Sequence, residues 1–260
     1  MKTTVIFILA IFFIITFQSS YGQSTQPDSS KYELIWHDEF DGTAVNPLLW
    51  NFETGNLGNN NEKQSYQEAN ATIRNGCLVI TAKKERKDGQ SYTSARLNTL
   101  GKFAIPKGRI EAYIKCPLGK GLWPGFWMLG NDIEDVNWPK CGEIDIMEHV
   151  NADSLVYGTV HWDNNGHAMY GVKAVTTSGE FHLYAVEWDD NEIRWYVDKT
   201  KIGAVNIAGN INNTDAFHKP FYLLLNMAVG GDFPGKKTPI DQTKIPAEML
   251  VDYVRVYQIY

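Results

Sequence analysis

What this sequence lacks narrows it quickly. Past residue 17 no apolar run is long enough to cross a bilayer. The 24 basic residues face 30 acidic ones, for a formal net charge of −6, so nucleic acid is not an expected partner. Cysteine is scarce, with only Cys77, Cys116 and Cys141. In an exported chain an odd count leaves at least one thiol unpaired, and the spacing fits no zinc pattern. Buried, reduced cysteines are expected, with room for one disulfide. No stretch of twelve residues keeps a helical period. There is no G-x-S-x-G elbow, and the six His do not fall at zinc spacing.

The first segment is different in kind. MKTTVIFILAIFFIITFQSSYGQ carries Lys2, then a 13-residue apolar run from Val5 to Phe17, then small residues at Ser20 and Gly22. This is the pattern of a secretory signal peptide over residues 1–22; thirteen residues are too few for a spanning anchor. Secreted or periplasmic localisation follows, with no membrane attachment after cleavage. No Cys lies near Gly22 to take a lipid. The polar stretch Gln23–Lys31 reads as a disordered leader. Residues 32–260 then suit one domain, expected to act as a monomer.

Strand signals dominate that domain. In GRIEAYIKC, Ile110, Ala112, Ile114 and Cys116 share one face, while Arg109, Glu111, Tyr113 and Lys115 share the other. CLVITAK, FHLYAVEW, EIRWYVD and DYVRVY follow the same alternation, and Asp189-Asp190-Asn191 reads as a hairpin turn. FYLLLNMAV (Phe221 to Val229) is continuously apolar, as a strand buried on both faces would be. Many short strands divided by Gly, Asn and Asp turns indicate an all-β sandwich. GGDFPGKKT (Gly230 to Thr238) nearly matches a phosphate loop, but Lys237 stands where Ser or Thr is needed. It reads as a surface loop.

Two features suggest chemistry. Of the eight Trp, Trp36, Trp50, Trp188 and Trp195 read as core, whereas Trp123 and Trp127 lie in the Gly- and Pro-bearing GLWPGFW. There they serve either as core or as platforms for sugar rings, which meet the negative face of an aromatic ring with their C–H bonds. The other feature is GEIDIMEHV. Glu143 and Asp145 have the same strand parity, and Glu148 has the opposite one. A bulge near Ile146-Met147 would return Glu148 to their face, and bulges are common beside active sites. Glu143 and Glu148 would then have Cα atoms roughly 13 Å apart, within reach of the ~5–5.5 Å carboxyl separation of a retaining glycosidase. Close carboxyls raise one another's proton affinity, which would keep one of them as an acid. The same residues also permit a solvated acidic face or an oxygen-ligand metal site, although EF-hand spacing is absent.

Taken in order, LIWHDEFDG, NNNEKQSY, ARLNTLGKFAIPKGRIEAYIKCP, GLWPGFWMLG, E-I-D-I-M-E, GTVHW, NMAVGGDFPG and MLVDYVRVY resemble glycoside hydrolase family 16. They are most similar to its bacterial laminarinase-type endo-β-1,3-glucanases. The resemblance implies a β-jelly-roll of two antiparallel sheets with a concave cleft. It implies Glu143 as nucleophile, Asp145 as its partner and Glu148 as acid/base, in the longer, bulged form of the motif. That form makes lichenase chemistry less expected, but agarases, porphyranases and carrageenases share it. Trp123 and Trp127 would shape subsites, His161 would sit near the leaving-group side, and Asn56, Arg96 and Asn226 would bond sugar hydroxyls. A structural Ca²⁺, with no catalytic cofactor, would lie on the convex face at Glu39, the Gly76 carbonyl and Asp252. The expected substrate is a laminarin-like β-glucan. The alternatives are a mixed-linkage β-1,3-1,4-glucanase, a transglycosylase, and a sugar-binding lectin on the same sandwich.

Overall fold

The computed structural model describes residues 31–177 and 179–260. The expected signal peptide, and all of the leader except Lys31, lie outside the described residues. In chain order the strands are β1 (Tyr32–Asp38), β2 (Asn51–Glu53), β3 (Gln64–Tyr66), β4 (Ala71–Arg74), β5 (Cys77–Ala82), β6 (Tyr92–Ser94), β7 (Arg96–Asn98), β8 (Gly108–Lys115) and β9 (Leu122–Gly130). They continue with β10 (Glu143–His149), β11 (Leu155–Asp163), β12 (His167–Val175), β13 (Phe181–Trp188), β14 (Glu192–Val197), β15 (Thr200–Asn206), β16 (Phe221–Val229) and β17 (Ala247–Ile259). Among the described residues the one α-helix has four residues, Ile133–Val136.

All strands but β3 and β6, which form a separate parallel pair, make up two large antiparallel sheets. One runs β15-β14-β13-β8-β17-β5-β4, with β1 also paired to β17; the other runs β12-β11-β10-β9-β16-β7-β2. Their facing sides meet in one core. Ile110, Ala112, Ile114 and Cys116 of the β8 segment lie in it with Val254 and Val256 of β17, and they face Ile144 and Met147 of β10 and Leu223, Leu225 and Met227 of β16. Period-2 alternation delivers these side chains to one layer. This is the jelly-roll sandwich.

Local chemistry explains the connections. The two residues between β4 and β5, Asn75 and Gly76, have φ of 55° and 72°, the left-handed pair that a tight two-residue hairpin needs. At the β13–β14 turn, Asp189 Oδ1 accepts from the amides of Asn191 and Glu192 at 2.7 and 3.0 Å. All nine residues of β16 are buried. The side away from the core is covered at one end by a smaller cluster of Leu129, Cys141, Tyr222 and Leu224.

Two expectations sharpen here. Trp50, Trp188 and Trp195 are fully buried, and Trp36 packs partly buried against the core. Cys77, Cys116 and Cys141 are all buried and unpaired, so the structure has no disulfide among them. Burial alone pushes the Cys116 thiol up to about 12. The outer face of β8 is polar, as its alternation predicts; its first half is closed off from water, whereas Lys115 at its end is exposed. Arg109 and Glu111 are 9% and 2% exposed. Arg109 pairs with Glu111 at 2.7 Å and with Glu187 at 3.1 Å, and Glu187 also accepts from the hydroxyls of Tyr32 and Tyr196.

Candidate active site

β10 is an inner strand of its sheet, between β11 and β9, and carries the acid motif. Against β11, Asp145 pairs with Thr159 and Glu148 with Tyr157. Three residues on β10 thus span two on its neighbour. Against β9, the shift falls between Asp145 and Met147, which makes Ile146 the extra residue. Ile146 and Met147 both turn into the core. Glu143, Asp145 and Glu148 consequently line one cleft of about 810 Å³, the arrangement that the parity argument requires.

The three carboxyls differ in environment. Glu148 is pushed well above the usual carboxylate range, first by burial and then by the charges of Asp145 and Glu143. Its Oε1 accepts from Trp123 Nε1 at 2.8 Å, which opposes the rise without cancelling it. Asp145 is 2% exposed and is also held well above its ordinary value, by burial, by the Glu143 charge and by a hydrogen bond to Glu143. Both stay protonated where an exposed carboxyl would ionise. Glu143 is partly exposed, and its Oε2 accepts from Trp138 Nε1 at 2.7 Å. A protonated acid at Glu148 thus faces Glu143, each half-buried, and the buried Asp145 carboxyl bridges toward Glu143. That set is suited to splitting an acetal by attack and protonation.

The walls come from neighbouring strands. Trp127 lines the cleft beside Asp145, its register partner. Its Nε1 donates to Asn226 Oδ1 at 2.8 Å, and the Arg96 guanidinium lies 4.7 Å from its ring centroid. Arg96 is in turn 3.0 Å from Glu53, and Asn226 donates to the Tyr66 hydroxyl at 3.1 Å. Arg96 and Asn226 therefore hold Trp127 in place as well as lining the cleft. Trp123 lies at the Glu148 side, edge-on to Phe233 at 5.4 Å. His161 Nε2 is 3.3 Å from Asp145 Oδ2. Glu143, Asp145 and His161 each present an atom within 4.8 Å of the others.

Asn56 is a correction. It is exposed, absent from the cleft wall, and its Oδ1 accepts from the Gly58 amide at 3.0 Å. The turn between Gly55 and Gly58 uses its side chain internally, and Asn59, Asn60 and Glu62 line the cleft instead.

Glu39, Gly76 and Asp252 lie on the other sheet. Asp252 is the unpaired residue of a bulge between Val251 and Tyr253 against β8. Burial and the nearby charges of Glu39 and Asp41 hold it above its ordinary value. A carboxyl strained by like charge is one that a hard cation would relieve, so Asp252 fits such an ion. Glu39 fits less directly, because both its oxygens are taken by Arg255 at 2.8 Å each.

The sequence reading passed over Trp138, His167 and Phe233, all of which line the cleft. Trp138 and Phe233 sit in loops between strands, where no periodicity marks a side chain as facing inward. Their aromatic character among Gly, Pro and Asn was the available signal.

A jelly-roll whose open sheet face carries a bulged row of three acids between tryptophans defines a polysaccharide-cleaving sandwich. Residues 58–255 match the model of glycosyl hydrolases family 16, and the chain belongs to that family. It is 38% identical to a β-glucanase of Rhodothermus marinus, covering 92% of this chain and 90% of that protein. It is 41% identical to the clotting factor G alpha subunit of Tachypleus tridentatus over 88% of this chain, but spans only 34% of that subunit's length. The laminarinase catalytic domain of Thermotoga maritima MSB8 superposes with a TM-score of 0.81 at 42% identity, covering 87% of this chain and 98% of that one.

Proposed function

We propose that this chain is a retaining endo-β-1,3-glucanase acting on laminarin-like β-glucans. The observation that carries the reading is the bulge at Ile146, which sets Glu148, held protonated, on one face with Glu143. In the first step Glu143 attacks the anomeric carbon while Glu148 gives its proton to the departing glycosidic oxygen. The C–O bond to the leaving sugar breaks as the bond to Glu143 forms. Glu148, now a carboxylate, then takes a proton from water, whose oxygen displaces Glu143. Asp145, protonated between them, donates toward Glu143 and steadies it as attacking and leaving group. Similarity to a laminarinase and a β-glucanase supports the β-1,3-glucan substrate. Release of reducing ends should be fast on laminarin and slow on agarose and carrageenan, and NMR of the first product should show the β anomer. Initial α product would sink the double displacement; a galactan preference would overturn the substrate.

Three further expectations belong to this reading. The chain acts as a monomer outside the cytoplasm, which light scattering and the N-terminal mass of exported protein check. A mass that includes residues 1–22 would refute cleavage. A Ca²⁺ ion held by Asp252 and the Gly76 carbonyl would add stability without entering the chemistry. Chelation should then lower the melting temperature and leave turnover at moderate temperature nearly unchanged. An unmoved melting curve would remove the ion.

A further inference from the structure

A closed circuit of side chains surrounds Glu143, and the two-carboxylate chemistry leaves half of it unused. Trp138 Nε1 donates to Glu143, and the Trp138 ring lies 4.7 Å from the His167 ring. His167 Nε2 is 2.9 Å from His161 Nδ1, His161 Nε2 is 3.3 Å from Asp145 Oδ2, and the Asp145 carboxyl hydrogen-bonds Glu143. Neighbouring strands impose this geometry. His161 of β11 is the register partner of Glu143, and His167 stands at the start of β12, on the same sheet.

We propose that His167 is a positioning residue: its Nε2–H donates to His161 Nδ1, fixes His161 as the Nε2–H tautomer, and so keeps the Asp145 proton turned toward Glu143. The proposal rests on the reading of Glu143 as nucleophile.

The argument follows from counting protons. Two ring nitrogens at 2.9 Å share one hydrogen, so one ring donates and the other accepts. If His167 donates, Nδ1 of His161 is the acceptor and the His161 proton lies on Nε2, facing Asp145 Oδ2. That oxygen is buried and has no well-aligned hydrogen bond of its own, so a donor at 3.3 Å, brought round by a small ring tilt, satisfies it. The Asp145 proton then sits on the side of Glu143. If His161 donated to His167 instead, its Nε2 would present a lone pair to Asp145. The Asp145 proton would be drawn to that lone pair, and Glu143 would face an acceptor. The choice between the arrangements is made at His167, which the two-carboxylate chemistry does not itself use. Burial and His161 hold the His167 imidazole below its usual range, against the opposing pull of Glu143, so it is neutral with a single N–H to give. The charged and titratable groups that face it are Glu143, His161 and, across the strand pair, Asp163.

Two variants test this, His167→Phe and His167→Gln. His167 is exposed, so both are expected to fold. Phe keeps a ring over Trp138 but gives no hydrogen bond; Gln keeps an N–H donor. Imidazole ¹⁵N shifts should show His161 as the Nε2–H tautomer in the parent and in His167→Gln, and mixed in His167→Phe. On laminarin, His167→Phe should lose roughly three- to tenfold in kcat, the worth of one hydrogen bond, with KM little changed and the acidic limb of the pH profile moved upward. His167→Gln should recover most of that loss. An unchanged His161 tautomer in His167→Phe, or equal losses in both variants, would overturn the proposal. If the parent cleaves no β-glucan, the proposed activity falls while the ¹⁵N readout still decides the role of His167.

Discussion

Glu148 owes its proton to burial and to two neighbouring acids, and that has opposite effects on activity and stability. The folded state binds this proton more tightly than the unfolded chain does. The stabilisation is therefore fully present below the unfolded value, about 4.3, and is lost as pH rises through the higher folded one. At neutral pH the group weakens the fold in order to hold an acid ready. Glu148→Gln keeps an oxygen for Trp123 Nε1 and removes the titration. Its turnover on glucan should fall by about 10²–10⁴-fold, less on aryl glycosides whose leaving group needs no proton. Its melting temperature should rise at pH 8 and barely move at pH 4, at about 2–4 °C per kcal/mol for a domain of this size. A lower melting temperature at pH 8 would show that Glu148 is not held in its protonated form. Asp145→Asn should show the same pH dependence of stability, because its raised proton affinity has the same origin in burial and the Glu143 charge.

At the scale of a single strand, one surplus residue sets how the acids of β10 share a face. Deleting Ile146 removes that surplus, and plain alternation then keeps Glu143, Asp145 and Glu148 on one face with the ladders to β9 and β11 unbroken. The shortened strand should fold and keep measurable turnover on laminarin. Complete loss of turnover with an unchanged circular dichroism midpoint would show that Ile146 is not the surplus residue. This element was legible in advance because strand parity is strict and an acid facing Ile144 and Met147 makes no physical sense. The alternation of β8 and the full burial of β16 were legible for the same reason. What sequence could not supply was the fate of side chains in connections. Asn56 spends its amide on its own turn, and Trp138 and Phe233 enter the cleft because their loops fold back over the sheet. His167 does have strand parity with His161, but its meaning depends on a 2.9 Å contact that no spacing encodes.

Across the whole molecule, the sheet opposite the cleft is fastened by ions rather than by apolar packing alone. Glu111 neutralises Arg109 in a nearly dry setting and accepts weakly from the Tyr257 hydroxyl at 3.4 Å. Glu111→Ala should cost about 3–5 kcal/mol in urea unfolding, because Arg109 stays buried with half its partners gone, while kcat on laminarin should hold. A loss below 1 kcal/mol would mean that Glu187 alone suffices. The burial of β16 has a different implication, for the order in which the chain is assembled. Phe221–Val229 is nine residues without charge or proline, between Lys219 and Asp232. Such a segment pairs readily with copies of itself when unprotected. Its partners β9 and β7 both lie earlier in the chain. In synthesis and in export alike they precede β16, so the strand meets its own slot before it meets a neighbour. In refolding from denaturant that precedence is lost, all chains expose the segment together, and recovery becomes a race between the slot and the neighbouring molecule.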